Sequence, residues 1–171
     1  MTNYSLCCET GSTLQVSDCN LAQGNIEGLV CTDSNCSIHV DNCTFRNFGD
    51  AAIRSNSSFF VENCEITDSY YGIFCLAMAN IDVDIANCVI AGNDYDGFRL
   101  SCADNITPAA SIHNNIIRNN GKGVNIGSGF VPRYSNTFIT NNLIYGNGDG
   151  IYLSLLDLAY DPTIYIRNNT I

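Results

Sequence analysis

An all-β solenoid of short parallel strands is the fold class this sequence predicts, and three observations predict it. The chain repeats itself: residues 141–153 read NNLIYGNGDGIYL, and residues 114–126 read NNIIRNNGKGVNI. Apolar residues alternate with their neighbours over short lines such as Ile73-x-Cys75 and Val124-x-Ile126, the period of a strand. Asn and Gly interrupt those lines every few residues, so no amphipathic helical pattern persists for a helix's length.

The earlier copies are VSDCNLAQGNIEGLVC (16–31), VDNCTFRNFGDAAIRS (40–55), VENCEITDSYYGIFC (61–75) and IANCVIAGNDYDGFRL (85–100). A half copy, IRNNTI, occupies 166–171, and another, SLCC, occupies 5–8 with Cys7 placed where Cys31 stands in the next copy. Measured at Cys19, Cys43, Cys64, Cys88, Asn115, Asn142 and Asn169, the period is 24, 21, 24, 27, 27 and 27 residues. A fixed order of short strands at such a period stacks coil on coil, each backbone pairing with the coils above and below. Strands stack about 4.8 Å apart, so six coils make a rod about 30 Å long.

Three columns are expected to fill the core. The first is Val16, Val40, Val61, Ile85, Ile112, Ile139 and Ile166, and the second is Leu21, Phe45, Ile66, Ile90, Ile117, Ile144 and Ile171. Leu29, Ile53, Ile73, Phe98, Val124 and Ile151 form the third. Between the first two runs Asp18, Asn42, Asn63, Asn87, Asn114, Asn141 and Asn168, residues that tolerate the left-handed backbone of a sharp corner. Beside them Cys19, Cys43, Cys64 and Cys88 give way to Asn115, Asn142 and Asn169, whose amides can bond from coil to coil. Gly28, Gly72, Gly97, Gly123 and Gly150, with Ala52 in the series, are read as the other tight corner.

With these columns in place, the chain resembles the parallel β-helix repeat family, the right-handed, pectate-lyase-like superfamily, over practically its whole length. The resemblance implies a right-handed single-stranded parallel β-helix of about six coils of 21–27 residues, forming one domain over 1–171. It also implies an extracellular or cell-surface location, although Met1–Ser5 does not read as a secretory leader. Function does not follow from it, because such scaffolds carry lyases, hydrolases, epimerases, phage spikes and non-enzymatic surface proteins.

Ten cysteines in a short chain raise the question of disulfides. Recurrence once per coil makes them small buried fillers, with coil-to-coil bridges the alternative. Cys8, Cys36 and Cys102 fall outside the repeating columns and are expected to be exposed thiols. No Cys-x-x-Cys pair or Cys–His cluster marks a zinc site, and no metal site is expected. The net charge of −10, with seven basic residues, argues against nucleic acid and anionic membranes as partners.

A glycan is the expected partner. On the Gly-apolar-x-apolar line the outward column is Val30, Arg54, Phe74, Arg99, Asn125 and Tyr152, and just before each glycine or its substitute come Glu27, Ala51, Tyr71, Asp96, Lys122 and Asp149. Aromatic faces cover sugar C–H surfaces while Arg and Asn bond hydroxyls or carboxylates, so Tyr71, Phe74, Arg99, Asn125 and Tyr152 are the substrate-binding candidates. The flanking segments 101–109, 127–136 and 154–162 lengthen on the same side, and Phe130, Arg133, Tyr134, Leu155, Leu156, Leu158 and Tyr160 are candidates to wall a cleft.

Catalysis is the weaker expectation. Asp96 and Asp149, two coils and so about 9.6 Å apart, are a permissive carboxylate pair for glycoside hydrolysis. Arg99 and Lys122 are candidate lyase bases beside Asp94 and Asp96, without the carboxylate cluster that would hold a cation. The Asp-Pro-His motif of the family's epimerases fails at Thr163, the Gly-His-Gly signature of its galacturonases is missing, and GNGDG (146–150) is a lone candidate for calcium. No catalytic motif emerges, and no cofactor is expected. The alternative is a structural module that assembles through open coil ends at 5–8 and 163–171, consistent with a fragment cut mid-coil.

Overall fold

The computed structural model describes residues 4–8, 10–24, 26–103, 106–127, 136–154 and 163–171. Among them every regular element is a strand, and the strands form three parallel sheets wound as a solenoid. Sheet I holds Tyr4–Cys8, Glu27–Cys31, Ala51–Ser55, Tyr71–Ala77, Asp96–Cys102, Lys122–Gly127 and Asp149–Ser154. Sheet II runs from Thr13–Ser17 to Ile164–Arg167, and sheet III consists of three-residue strands from Asn20–Ala22 to Leu143–Tyr145. Each coil visits I, II and III in turn, so chain neighbours lie in different sheets while sheet neighbours are one repeat apart.

The expected core columns pair in register: Val40 with Val61, Phe45 with Ile66, Ile53 with Ile73 and Phe98 with Val124. Through the middle coils these side chains are sealed from solvent, each contributing about 1.5–3 kcal/mol by burial. A further inward column, Leu14, Ile38, Phe59, Val83, Ala110 and Thr137, escapes sequence reading because its residues vary in size and polarity. Ile166 and Ile171 keep their columns but are exposed, since no further coil packs on them among the described residues.

The corner column is left-handed throughout, with φ between 51° and 59° from Asp18 to Asn168. Beside it the Cys–Asn column has a single chemistry. The backbone N–H of Cys19 donates to Cys43 Sγ, and Cys43 and Cys64 repeat this one coil on, each at 3.4 Å. Cys88 then donates to Asn115 Oδ1 (2.8 Å), Asn115 to Asn142 (2.9 Å) and Asn142 to Asn169 (2.9 Å). Each side chain also donates inward to a first-column carbonyl: Cys64 to Val40, Asn115 to Ile85 and Asn142 to Ile112. Cysteine and asparagine interchange here because each offers an acceptor for the backbone N–H and a donor for the inward carbonyl, and asparagine's second amide N–H adds a bond to the next asparagine.

A second corner does the same work unannounced. Its left-handed residues are Gln23, Asn47, Asp68, Gly92, Asn119 and Gly146. Behind it Ser69 N–H donates to Asn93 Oδ1, Asn93 to Asn120 and Asn120 to Asn147. Their amides return to the carbonyls of Ile66, Ile90 and Ile117. Asn147 of GNGDG is thus committed to the solenoid itself.

Three sequence expectations are corrected. Gly28, Gly72, Gly97, Gly123 and Gly150 lie inside sheet I strands without positive φ; a Cβ on Gly72 would stand 2.5 Å from the carbonyl of Gly97. Close approach between coils demands these glycines, not a turn. Cys8, not Cys7, pairs with Cys31, because Leu6 takes the register of Leu29. Cys7 is therefore exposed, while Cys8, Cys36 and Cys102 are buried rather than exposed. All ten cysteines carry thiols.

Candidate functional site

The outward column of sheet I keeps the expected register, Val30, Arg54, Phe74, Arg99, Asn125 and Tyr152 on successive strands, although Val30 at its lower end is buried. The residues before the glycines join the same face. Tyr71 stacks on Phe74 with centroids 5.2 Å apart, and Arg99 Nη1 lies 3.7 Å from Asp96 Oδ2.

The lower part of the strip is internally satisfied. Arg54 pairs with Glu27 and with Asp50, each at 2.6 Å, and its guanidinium lies 4.5 Å from the Phe74 centroid. Two of its guanidinium nitrogens, Nε and Nη2, therefore face carboxylates of the protein rather than open solvent. The upper part is more open. Tyr95, Arg99, Lys122, Asn125, Gly127, Tyr152 and Ser154 line a groove of ≈ 210 Å³. Lys122 Nζ sits 3.9 Å from the Tyr152 centroid and 5.9 Å from that of Tyr95. Tyr95 stacks on Tyr70 at 5.5 Å and meets Tyr71 edge-on at 5.4 Å, so an aromatic cluster continues the groove downward.

Tyr70 and Tyr95 are the site residues that sequence reading missed. Both stand one residue before the pre-glycine column, in SYYG and DYDG, and that shared offset is the signal that could have found them.

The candidate catalytic groups are differently placed. Asp96 has no exposed surface, and its Oδ2 accepts a hydrogen bond from Asn125 Nδ2 at 2.9 Å. Asp149 is exposed, and Lys122 stands between the two in the register. The two carboxylates do not face one another across an open gap. Asn125 is 5% exposed and forms the floor of the groove. The proposed wall residues Phe130, Arg133, Tyr134, Leu155, Leu156, Leu158 and Tyr160 lie outside the described residues.

Residues 4–171 match the family described as "Right handed beta helix region". The chain belongs to that family. No curated protein and no solved structure gives a match. The right-handed β-helix assignment fixes the scaffold, and the chemistry has to be read from the face itself.

In this β-helix protein, Asp96 carries an unusual electrostatic load. Burial raises its pKa above the ordinary carboxylate range, and the hydrogen bond from Asn125 and the charges of Arg99 and Lys122 pull it partly back. A carboxyl with a raised folded pKa binds its proton more tightly when folded. It therefore leaves stability untouched at low pH, costs stability as pH rises through its folded pKa, and holds that cost above it. Asp96→Asn keeps an acceptor for Asn125 without the buried charge. We expect thermal melts from acid to neutral pH to show a smaller loss of stability for the variant, with the variant the more stable of the two at neutral pH. Burial also raises the Tyr71 pKa, so its phenol stays neutral and able to donate.

Proposed function

We propose that the groove between Tyr95 and Tyr152 binds a polysaccharide chain laid across the stacked strands of sheet I. The observation that carries this reading is two half-exposed tyrosines, 41% and 40%, on either side of a lysine that lies against the Tyr152 ring and within 5.9 Å of the Tyr95 centroid, over a polar floor of Arg99 and Asn125. Tyrosine rings cover the apolar faces of sugars, and cations and amides bond their hydroxyls. Two strand steps separate the Tyr95 and Tyr152 coils, about 9.6 Å, so one ligand can lie on both. With a net charge of −10, a neutral or sparsely charged glycan suits the protein better than a densely acidic one. Binding is the function proposed; the burial of Asp96 gives hydrolysis no comparable support.

A glycan-array screen of wild type beside Tyr95→Ala/Tyr152→Ala tests it. Loss of both rings is expected to weaken binding at least ~10-fold, from about 1 kcal/mol or more per stacked ring, with the circular dichroism spectrum unchanged. Binding that survives in the double variant places the site elsewhere. Absence of binding, with concentration-dependent oligomers in light scattering, favours the assembly module instead.

A further inference from the structure

Cys8 and Cys31 are register partners on adjacent sheet I strands, and Cys36 reaches the same place at the entry to the sheet II strand Ser37–Asp41. The turn between Cys31 and Cys36 is fixed by Asp33, whose carbonyl accepts from Cys36 N–H at 3.1 Å and whose carboxylate accepts from Asn35 N–H at 2.8 Å. All three thiols are at most 4% exposed, and their sulfurs lie within 4.8 Å of one another. Among the described residues this is the one place where three such ligand atoms converge. The Cys43–Cys64–Cys88 column differs: there each sulfur serves its own coil's corner, receiving one backbone N–H from the coil before.

Two further observations give the cluster the character of a site. Ser57 Oγ, fully buried, donates to Cys31 Sγ at 3.2 Å and is itself 3.0 Å from the buried Ser55 hydroxyl. A hydroxyl aimed at sulfur supports a thiolate, as outer-shell donors do around metal ligands. A polar cavity of ≈ 470 Å³, lined by Cys7, Cys8, Thr10, Ser12, Thr32 and Asp33, opens onto Cys8 and gives an ion access.

We propose that Cys8, Cys31 and Cys36 form a buried three-thiolate site for a thiophilic d10 cation, Zn(II) or Cu(I). Metal–sulfur bonds of about 2.3 Å set sulfurs around one ion about 3.8–4.0 Å apart, so the trio closes by about 1 Å or less. Cu(I) is satisfied by three sulfurs, whereas Zn(II) takes a fourth ligand from water or Asp33 in the adjoining cavity. Each ligating thiol gives up its proton as the metal–sulfur bond forms, and the sulfur keeps its electron pair, so no oxidation occurs and affinity rises with pH.

The test titrates reduced, metal-stripped protein with Zn(II) and, separately, Cu(I) against chromophoric chelators, and with Cd(II) to follow thiolate charge-transfer absorption. One equivalent per chain is expected for at least one of Zn(II) and Cu(I), with a raised melting temperature. Cys31→Ser and Cys36→Ser should each weaken binding at least ~100-fold, while Cys19→Ser and Cys88→Asn leave it unchanged. Thermal melts of the metal-free variants check that each has folded. No saturable uptake of either ion, or uptake insensitive to the trio, overturns the assignment. So does protein whose trio oxidises to a disulfide even under reductant and takes up no metal.

Discussion

Asn142→Leu is expected to lower the unfolding free energy by about 3–5 kcal/mol. Asn142 is 2% exposed and joins three coils: its Oδ1 accepts both the backbone and the side-chain N–H of Asn115, and its Nδ2 bonds the Ile112 carbonyl and Asn169 Oδ1. Leucine has the same branching at Cγ, with bulkier methyl ends, and none of these polar atoms. It strands the Asn115 donors and the Ile112 carbonyl, at about 1–3 kcal/mol for each buried group left unbonded. Asn142→Cys should recover more than half of the loss, because the lower coils already use sulfur in this role. Urea unfolding followed by far-ultraviolet circular dichroism measures both. Equal losses for Leu and Cys would mean that the column works by packing alone.

Gly123→Val is expected to cost about 2–4 kcal/mol. A Cβ at Gly123 would stand 2.5 Å from the carbonyl oxygen of Gly150 and 3.1 Å from Ile144 Cγ2, and the backbone of the next coil cannot rotate away as a side chain would. Overpacking of this kind typically costs about 1–3 kcal/mol, and the branched side chain adds to it. Gly123→Ala should cost less, since Ala52 occupies the same column fully buried. Thermal melts of both variants should rank them in that order. A neutral Gly123→Val would show that the coils separate more easily than their contacts imply.

What could be read in the sequence was whatever repeats by letter. Ile85, Ile112 and Ile139 recur at one offset, and the Asn corner recurs because a left-handed φ leaves few residue types to choose from. The second corner was illegible for the opposite reason: Gln23, Asp68 and Gly92 meet the same backbone demand with unlike side chains. Cys7 and Cys8 show how fine the margin is. In YSLCC either cysteine can be aligned with Cys31, and a one-residue slip exchanges the buried face for the exposed one. The outward register from Arg54 to Tyr152 was correct, yet the sequence could not show that Arg54 is spent on Glu27 and Asp50, or that Asp96 lies beneath the surface. Those facts depend on rotamers and on neighbours from other coils, Glu27 for Arg54 and Asn125 for Asp96. The thiol trio was hidden because Cys36 arrives from another sheet, so no linear spacing announces it.

The most direct test of the glycan-binding face is residue-resolved. Isotope-labelled protein, titrated with the oligosaccharide that scores highest on the array, reports each amide separately. The account predicts saturable shifts centred on Tyr95, Arg99, Lys122, Asn125 and Tyr152. The contrary result is a set of shifts centred on another outward groove, ≈ 270 Å³ between Phe60 and Phe138, which would place the binding face on sheet II.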